Sequence, residues 1–193
     1  MKNLRIIILL FTSLVISKLS SAQDKCYDLK TSVINLGVGF GYSVNYYSGA
    51  SATPVLSASY EYGIAKLGPG TVGAGAILSY QGSNYEYSDA FGTWKDKWTT
   101  TFFGLRGTWH PDALVADKYD VYGALQLGYY HYGYTYSGTG AYESVTSGGS
   151  SLNSGIGLGL VVGGRYYFTK SIGAFAELGY DIAYFKIGLS AKF

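Results

Sequence analysis

Beyond residue 22 the chain has no apolar run that could cross a bilayer as a helix, which needs roughly 20 consecutive residues. It has one cysteine, Cys26, so an intramolecular disulfide framework is excluded even where export would permit one. Lys25 stands directly before Cys26, where a lipoprotein signal carries a small residue, and so argues against a lipid-modified cysteine. Cys26 reads as an inert thiol in the amino-terminal lead. Three prolines, one methionine and 13% charged residues leave few helix-forming runs of Glu and Lys. No polybasic run is present to track a phosphate backbone, which removes nucleic acid as a partner.

The first segment stands apart. Lys2 and Arg5 make a positive start, Ile6 to Ile16 is apolar, and Ser20-Ser21-Ala22 offers small residues to signal peptidase. This pattern predicts a signal peptide over 1–22, cut between Ala22 and Gln23, and a single domain over 23–193. Cleavage removes Lys2, Arg5 and Lys18, so 14 basic and 12 acidic residues become 11 and 12. The mature chain is near neutral.

With 21 Tyr, 9 Phe and 28 Gly, the composition favours strands. Alternation dominates the rest of the chain. Over about 33–42, Ile34, Leu36, Val38 and Phe40 share one face, and Asn35, Gly37, Gly39 and Gly41 the other. Runs over about 55–62, 71–81, 98–110, 119–132, 155–168, 172–180 and 184–193 alternate in the same way. The predicted connections at 63–70, 110–118 and 169–171 are short. Those at 43–54, 82–97 and 133–154 are long and rich in Gly, Ser, Asn and Tyr, and only the joint near Asp181 breaks the trend.

A soluble sandwich also alternates, but its solvent face carries charge. Here the side opposite the apolar one is dominated by Gly and Ser, which suits the crowded lumen of a narrow barrel. In hydrocarbon every backbone N–H and C=O must be paired within the sheet, so closure is required. The expected fold is therefore all-β: an eight-stranded antiparallel transmembrane β-barrel of up-and-down type, with one rim of short turns and one of long loops. Tyr60, Tyr62, Tyr80, Trp98, Trp109, Tyr119, Tyr129, Tyr166, Phe168, Tyr180 and Tyr184 are expected in two interfacial girdles. Tyr46, Tyr47, Tyr85, Tyr87, Trp94, Tyr134, Tyr136 and Tyr142 are expected in the long loops.

Four charges fall on inward parity: Glu61, Arg106, Arg165 and Glu177. An unpaired buried charge costs far more than a hydrogen-bonded ion pair, so these four are expected to form a salt-bridge network that plugs the lumen. His110 and His131 fall at opposite ends of neighbouring strands, roughly 30 Å apart, and cannot share a metal. The Gly37 to Gly41 and Gly155 to Gly159 runs follow strand periodicity and precede no helix, so they do not form a nucleotide loop. No cofactor, metal or catalytic site is expected. His131 lacks a nucleophile and acid in recognisable spacing for a lipid-modifying enzyme.

The carboxyl end, Lys186-Ile187-Gly188-Leu189-Ser190-Ala191-Lys192-Phe193, resembles the insertion signal of outer-membrane barrels, with Lys186, Gly188 and Phe193 as its polar residue, glycine and terminal aromatic. Gly104 to His110, Gly164 to Phe168 and Gly173 to Tyr180 are similar to the small OmpA/OmpX-type outer-membrane β-barrel domain family. That resemblance implies a Gram-negative outer-membrane protein, with structural anchors, adhesins and small channels among its relatives. Lipid, lipopolysaccharide, insertion machinery and periplasmic chaperones are the expected partners, with a surface ligand for the loops. A structural or adhesion-like role is favoured over a narrow gated, porin-like channel and over a lipid enzyme.

Overall fold

The computed structural model describes residues 25–41, 49–140, 150–151 and 154–193. The expected cleavage site at Ala22 and Gln23, and Tyr46, Tyr47 and Tyr142, lie outside them. The strands are β1 (Ser32–Phe40), β2 (Ser51–Ala52), β3 (Val55–Lys66), β4 (Gly70–Asp89), β5 (Gly92–Pro111), β6 (Tyr119–Gly138), β7 (Ser150–Ser151), β8 (Gly155–Tyr167), β9 (Ile172–Tyr180) and β10 (Phe185–Lys192). Every pairing is antiparallel: β1 with β3, then β4, β5, β6, β8, β9 and β10 in turn. β10 returns to β1, with Val33 opposite Lys192 and Phe40 opposite Phe185, and this pairing closes an eight-stranded barrel. The two-residue strands β2 and β7 add short pairings to β4 and β6. Ser32 and Phe193 exchange backbone hydrogen bonds of 2.9 and 3.0 Å, so the strands begin and end on the same rim.

The alternation holds strand by strand. Leu36, Leu56, Leu78, Phe103, Leu105, Leu125, Leu127, Leu158, Leu160, Leu178 and Leu189 all point outward and are exposed. Asn35, Ser59, Ser79, Arg106, Gln126, Arg165, Glu177 and Ser190 point inward and are buried. Closure relies on close approach at glycine pairs. Gly37 faces Gly188 across the β1–β10 seam, where a Cβ on Gly37 would meet the Ile187 carbonyl carbon at 3.1 Å and one on Gly188 the Leu36 carbonyl carbon at 2.8 Å.

Strand ends depart from the sequence reading. The stretch expected as a loop over 82–97 is a hairpin, because β4 and β5 stay paired from Gly70 with Pro111 to Asp89 with Gly92. Only Ala90 and Phe91 turn, held by Asp89 Oδ1, which accepts from the Phe91 and Gly92 amides at 2.9 and 3.1 Å. β6 likewise extends to Gly138. Tyr85, Tyr87, Trp94, Tyr134 and Tyr136 are therefore strand residues. Their stretches alternate and are rich in Tyr, Trp and Thr, so pairing prevails over the Gly-Ser-Asn turn signal. Trp98 is also corrected: it is only 5% exposed and points inward. Its even position on β5 matches Arg106 and Thr108, not Phe103 and Trp109.

The three long strands β4, β5 and β6 project beyond the rest as a sheet, and their polarity reverses along its length. Outward positions read Leu78 and Tyr80, then Gly82, Asn84 and Glu86 on β4. On β5 they read Leu105 and Phe103, then Thr101, Thr99, Lys97 and Lys95; on β6, Leu127 and Tyr129, then His131, Gly133 and Thr135. Since neither ladder shifts register, the inward side takes the aromatics: Tyr85 and Tyr87, Trp94 and Trp98, Tyr132, Tyr134 and Tyr136.

Candidate functional site

The lumen is filled in three layers. At the rim that carries the strand ends, the lead segment turns inward. Cys26 donates its amide to Ala116 O at 2.7 Å and its Sγ–H to Tyr119 O at 3.2 Å. Tyr27 is fully buried and packs with Cys26, Val33, Val115 and Tyr167. Two ion pairs anchor this segment from outside: Lys25 with Asp112 at 2.5 Å, and Asp28 with Lys66 at 2.6 Å. Burial pushes the Cys26 thiol up to about 12, while the Lys25 hydrogen bond holds the Asp112 carboxyl below its ordinary range. Burial raises Asp28, but the Lys66 ammonium prevails and the net shift is downward.

The second layer is ionic. The structure brings Glu61 (β3), Arg106 (β5), Arg165 (β8) and Glu177 (β9) together, all nearly inaccessible. Arg106 donates to Glu177 and its Nε lies 3.9 Å from Glu61. Arg165 Nη1 donates to Asp120 Oδ2 at 2.8 Å and lies 2.7 Å from Glu61 Oε1. The layer recruits more groups than those four. Lys186 pairs with Glu177 at 3.1 Å and Asp181 at 2.5 Å, and Tyr122 donates its hydroxyl to Glu177 at 2.8 Å. With its amide turned to suit both neighbours, Gln126 donates to Asp181 at 3.0 Å and accepts from Arg106 at 2.8 Å. Arg165 also sits 4.2 Å above the Tyr122 ring.

His110 joins this layer. Its Nδ1 is 2.8 Å from Asp120 Oδ1, its Nε2 is 2.9 Å from Thr108 Oγ1, and Tyr27 stacks on its ring. Hydroxyl, imidazole and carboxylate stand in line, yet all three are buried and the aromatic ring covers the imidazole. The alignment is enclosed within the ion layer, where His110 Nε2 also lies 3.5 Å from Glu61 Oε1. His131 is exposed at the outward side of the far end of β6. Among the described residues no cluster of His, Cys, Asp and Glu has the arrangement of a metal site.

No protein-family model matches the chain, and no curated protein does. Solved structures do match in shape. The attachment invasion locus protein Ail of Yersinia pestis, solved with the heparin analogue sucrose octasulfate, shares 12% identity at a TM-score of 0.48, covering 86% of this chain and 99% of Ail. The N-terminal β-barrel domain of Pseudomonas aeruginosa OprF shares 16% identity at 0.46, covering 86% of this chain and 100% of the domain.

The third layer is apolar. Val55, Ile77, Phe102, Ile182 and Ala183 form a buried cluster, with Tyr130 packed against it. Ile182 and Ala183 belong to the β9–β10 connection, which folds into the barrel, where Asp181 Oδ1 accepts from the Ala183 amide at 2.9 Å. This inward fold is the physical content of the odd joint near Asp181.

Asp120 and Lys186 share the parity of the inward residues on β6 and β10, so alternation marks them as network members too. Lys186 is 1% exposed and ion-paired in the lumen, whereas Phe193 is exposed at the rim. Tyr27 and Cys26 belong to no periodic run and carried no such signal.

Proposed function

We propose that this chain is an integral outer-membrane barrel with a structural and surface-interaction role, whose lumen is plugged rather than conducting. The carrying observation is the outward belt of leucine, phenylalanine and valine around a closed sheet. A soluble monomer rarely exposes a contiguous apolar patch beyond a few hundred Å², and a hydrocarbon surround accounts for a belt that runs right round the sheet. In this reading the polarity reversal past Tyr80, Phe103 and Tyr129 marks the outer edge of the bilayer. The short-turn rim then faces the periplasm and the projecting sheet faces outward, after export under the amino-terminal signal and insertion guided by Lys186, Gly188 and Phe193.

The ion layer supports a static plug. Its acids, Glu61, Asp120, Glu177 and Asp181, each lie within ion-pair distance of Arg106, Arg165 or Lys186. Apolar residues close both its sides. An ion crossing this lumen would have to break several buried charge pairs at once, each costing several kcal/mol.

Two measurements test the reading. Membrane fractionation with a heat-modifiable gel band is expected to place the protein in the outer membrane as a folded barrel, and a protein soluble without detergent overturns that. Single-channel recording is expected to stay silent for the wild type and for Arg106→Ala; steps of conductance in the wild type overturn the plug.

A further inference from the structure

We infer that the inward face of the projecting sheet binds a neutral saccharide. The inference rests on that sheet facing the cell exterior, and it assigns a ligand class to the surface role. Three observations carry it.

The first is the reversal itself. Beyond the bilayer edge a sheet in water has no need to gather its aromatics on one side. Yet Tyr85, Tyr87, Trp94, Tyr132, Tyr134 and Tyr136 all lie on the inward face, while Asn84, Glu86, Lys95 and Lys97 take the other. Tyr87 is 48% exposed and the other five rings are half-buried, so each keeps part of its surface accessible. Three of them are held by ring contacts, as Trp94 meets Tyr136 edge-on at 5.1 Å and Tyr132 stacks on Tyr130 at 6.0 Å. A row of amphipathic rings, several of them held in place, presents large contact area at small entropic cost.

The second is the charge on that face. Among the described residues its acids are Asp96, 1% exposed and bonded by the Tyr134 hydroxyl at 2.6 Å, and Asp89, committed to the hairpin turn. Lys95 and Lys97 sit at outward positions, and Lys95 pairs with Glu86 at 2.9 Å. Among the described residues a sulfated or carboxylated ligand finds no cation on that face, and a cationic one finds no exposed carboxylate beyond the tip. An uncharged ligand with an apolar side and a hydroxyl edge matches what remains. A pyranose has both: its C–H face stacks on aromatic rings and its hydroxyls reach phenol, amide and hydroxyl groups.

The third is a cleft of about 260 Å³ at the foot of the sheet, lined by Gly39, Thr53, Pro54 and Gln81 among others. Its wall is held in shape by Gln81, which donates to Thr53 O at 3.1 Å.

The test titrates purified full-length protein, in a detergent without a sugar headgroup, with cellotetraose, maltotetraose and chitotetraose, and with a sulfated disaccharide for contrast. Tryptophan fluorescence gives the readout. Saturable binding of at least one neutral oligosaccharide is expected, weakened about tenfold by Tyr132→Ala and by Tyr136→Ala. Lys97→Ala, on the opposite face, should leave it unchanged. Absence of saturable binding by all three neutral sugars overturns the inference, as does preference for the sulfated probe or indifference to both tyrosine substitutions. The heat-modifiable band, read on the same samples, shows each variant folded. A barrel that fractionates with the outer membrane but ignores these sugars sinks this inference alone.

Discussion

Tyr27 lies flat on His110, with ring centroids 3.6 Å apart and planes inclined by 15°, so a residue of the lead segment covers the imidazole that Asp120 and Thr108 orient. The lead is thereby coupled to the ion layer, and Tyr27→Ala should loosen both. Truncating a large buried aromatic costs about 3–5 kcal/mol. The native cysteine reports the outcome, since the Cys26 thiol is buried and held protonated, with its pKa pushed up to about 12. Maleimide labelling of the folded wild type at pH 8 should be slow and that of Tyr27→Ala at least about tenfold faster. Equal rates would place Tyr27 outside the seal.

Arg165 bridges Asp120 and Glu61, so its removal leaves two acids short of a partner in a buried site. Arg165→Ala should lower unfolding free energy by about 3–5 kcal/mol, read from urea midpoints in detergent. The double variant Arg165→Ala with Glu61→Gln should recover part of the loss, because one stranded charge goes with it. No recovery would mean that packing against Tyr122 carries the residue's contribution.

Acid should release the lead before it disturbs the lumen. Asp112 and Asp28 have carboxyls held below their ordinary range, Asp112 by its Lys25 hydrogen bond and Asp28 by Lys66 against the opposing effect of burial. A group depressed in the folded state adds stability above its unfolded value of 3.8, and that stability is lost as pH falls through the folded value. These partly exposed pairs contribute little, so the change is expected to be small. The temperature of the gel-band shift should fall between pH 7 and pH 3, and Asp112→Asn should reduce that difference. An unchanged pH response in Asp112→Asn would remove the Lys25 pair from the account.

The bilayer edge proposed from the polarity reversal can be located by arginine scanning. Leu125→Arg, in the middle of the outward belt, should cost about 2–4 kcal/mol, while Thr135→Arg, past the reversal, should cost about 0–1 kcal/mol. Similar costs at both positions would show that the belt is not lipid-facing.

Much of the barrel was legible in residue order because a period of two is a strong constraint when the outer side is apolar and the inner side lines a packed lumen. Leu36, Leu56, Leu158 and Leu160 fell on one parity and Asn35, Ser59 and Arg165 on the other, in both sequence and structure. The hairpin over 82–97 was not legible. Gly82, Ser83 and Asn84 imitate a turn, whereas the decisive feature, Asp89 capping the amides of Phe91 and Gly92, lies just inside the paired strands. In the ion layer parity alone marked Glu61, Arg106, Arg165 and Glu177. Asp181 became a member through the β9–β10 connection folding inward, a tertiary event with no local signature.

Alternation in β5 also bears on how the chain finds its register. A slip by one residue would send Arg106 into the apolar outer belt and Leu105 among carboxylates, and in the projecting sheet the same slip would turn Trp94 and Trp98 outward and Lys95 and Lys97 inward. Near-miss pairings are thus penalised at both ends of one strand for opposite reasons. Buried charge and outward apolar side chains together favour the one alignment in which both are satisfied.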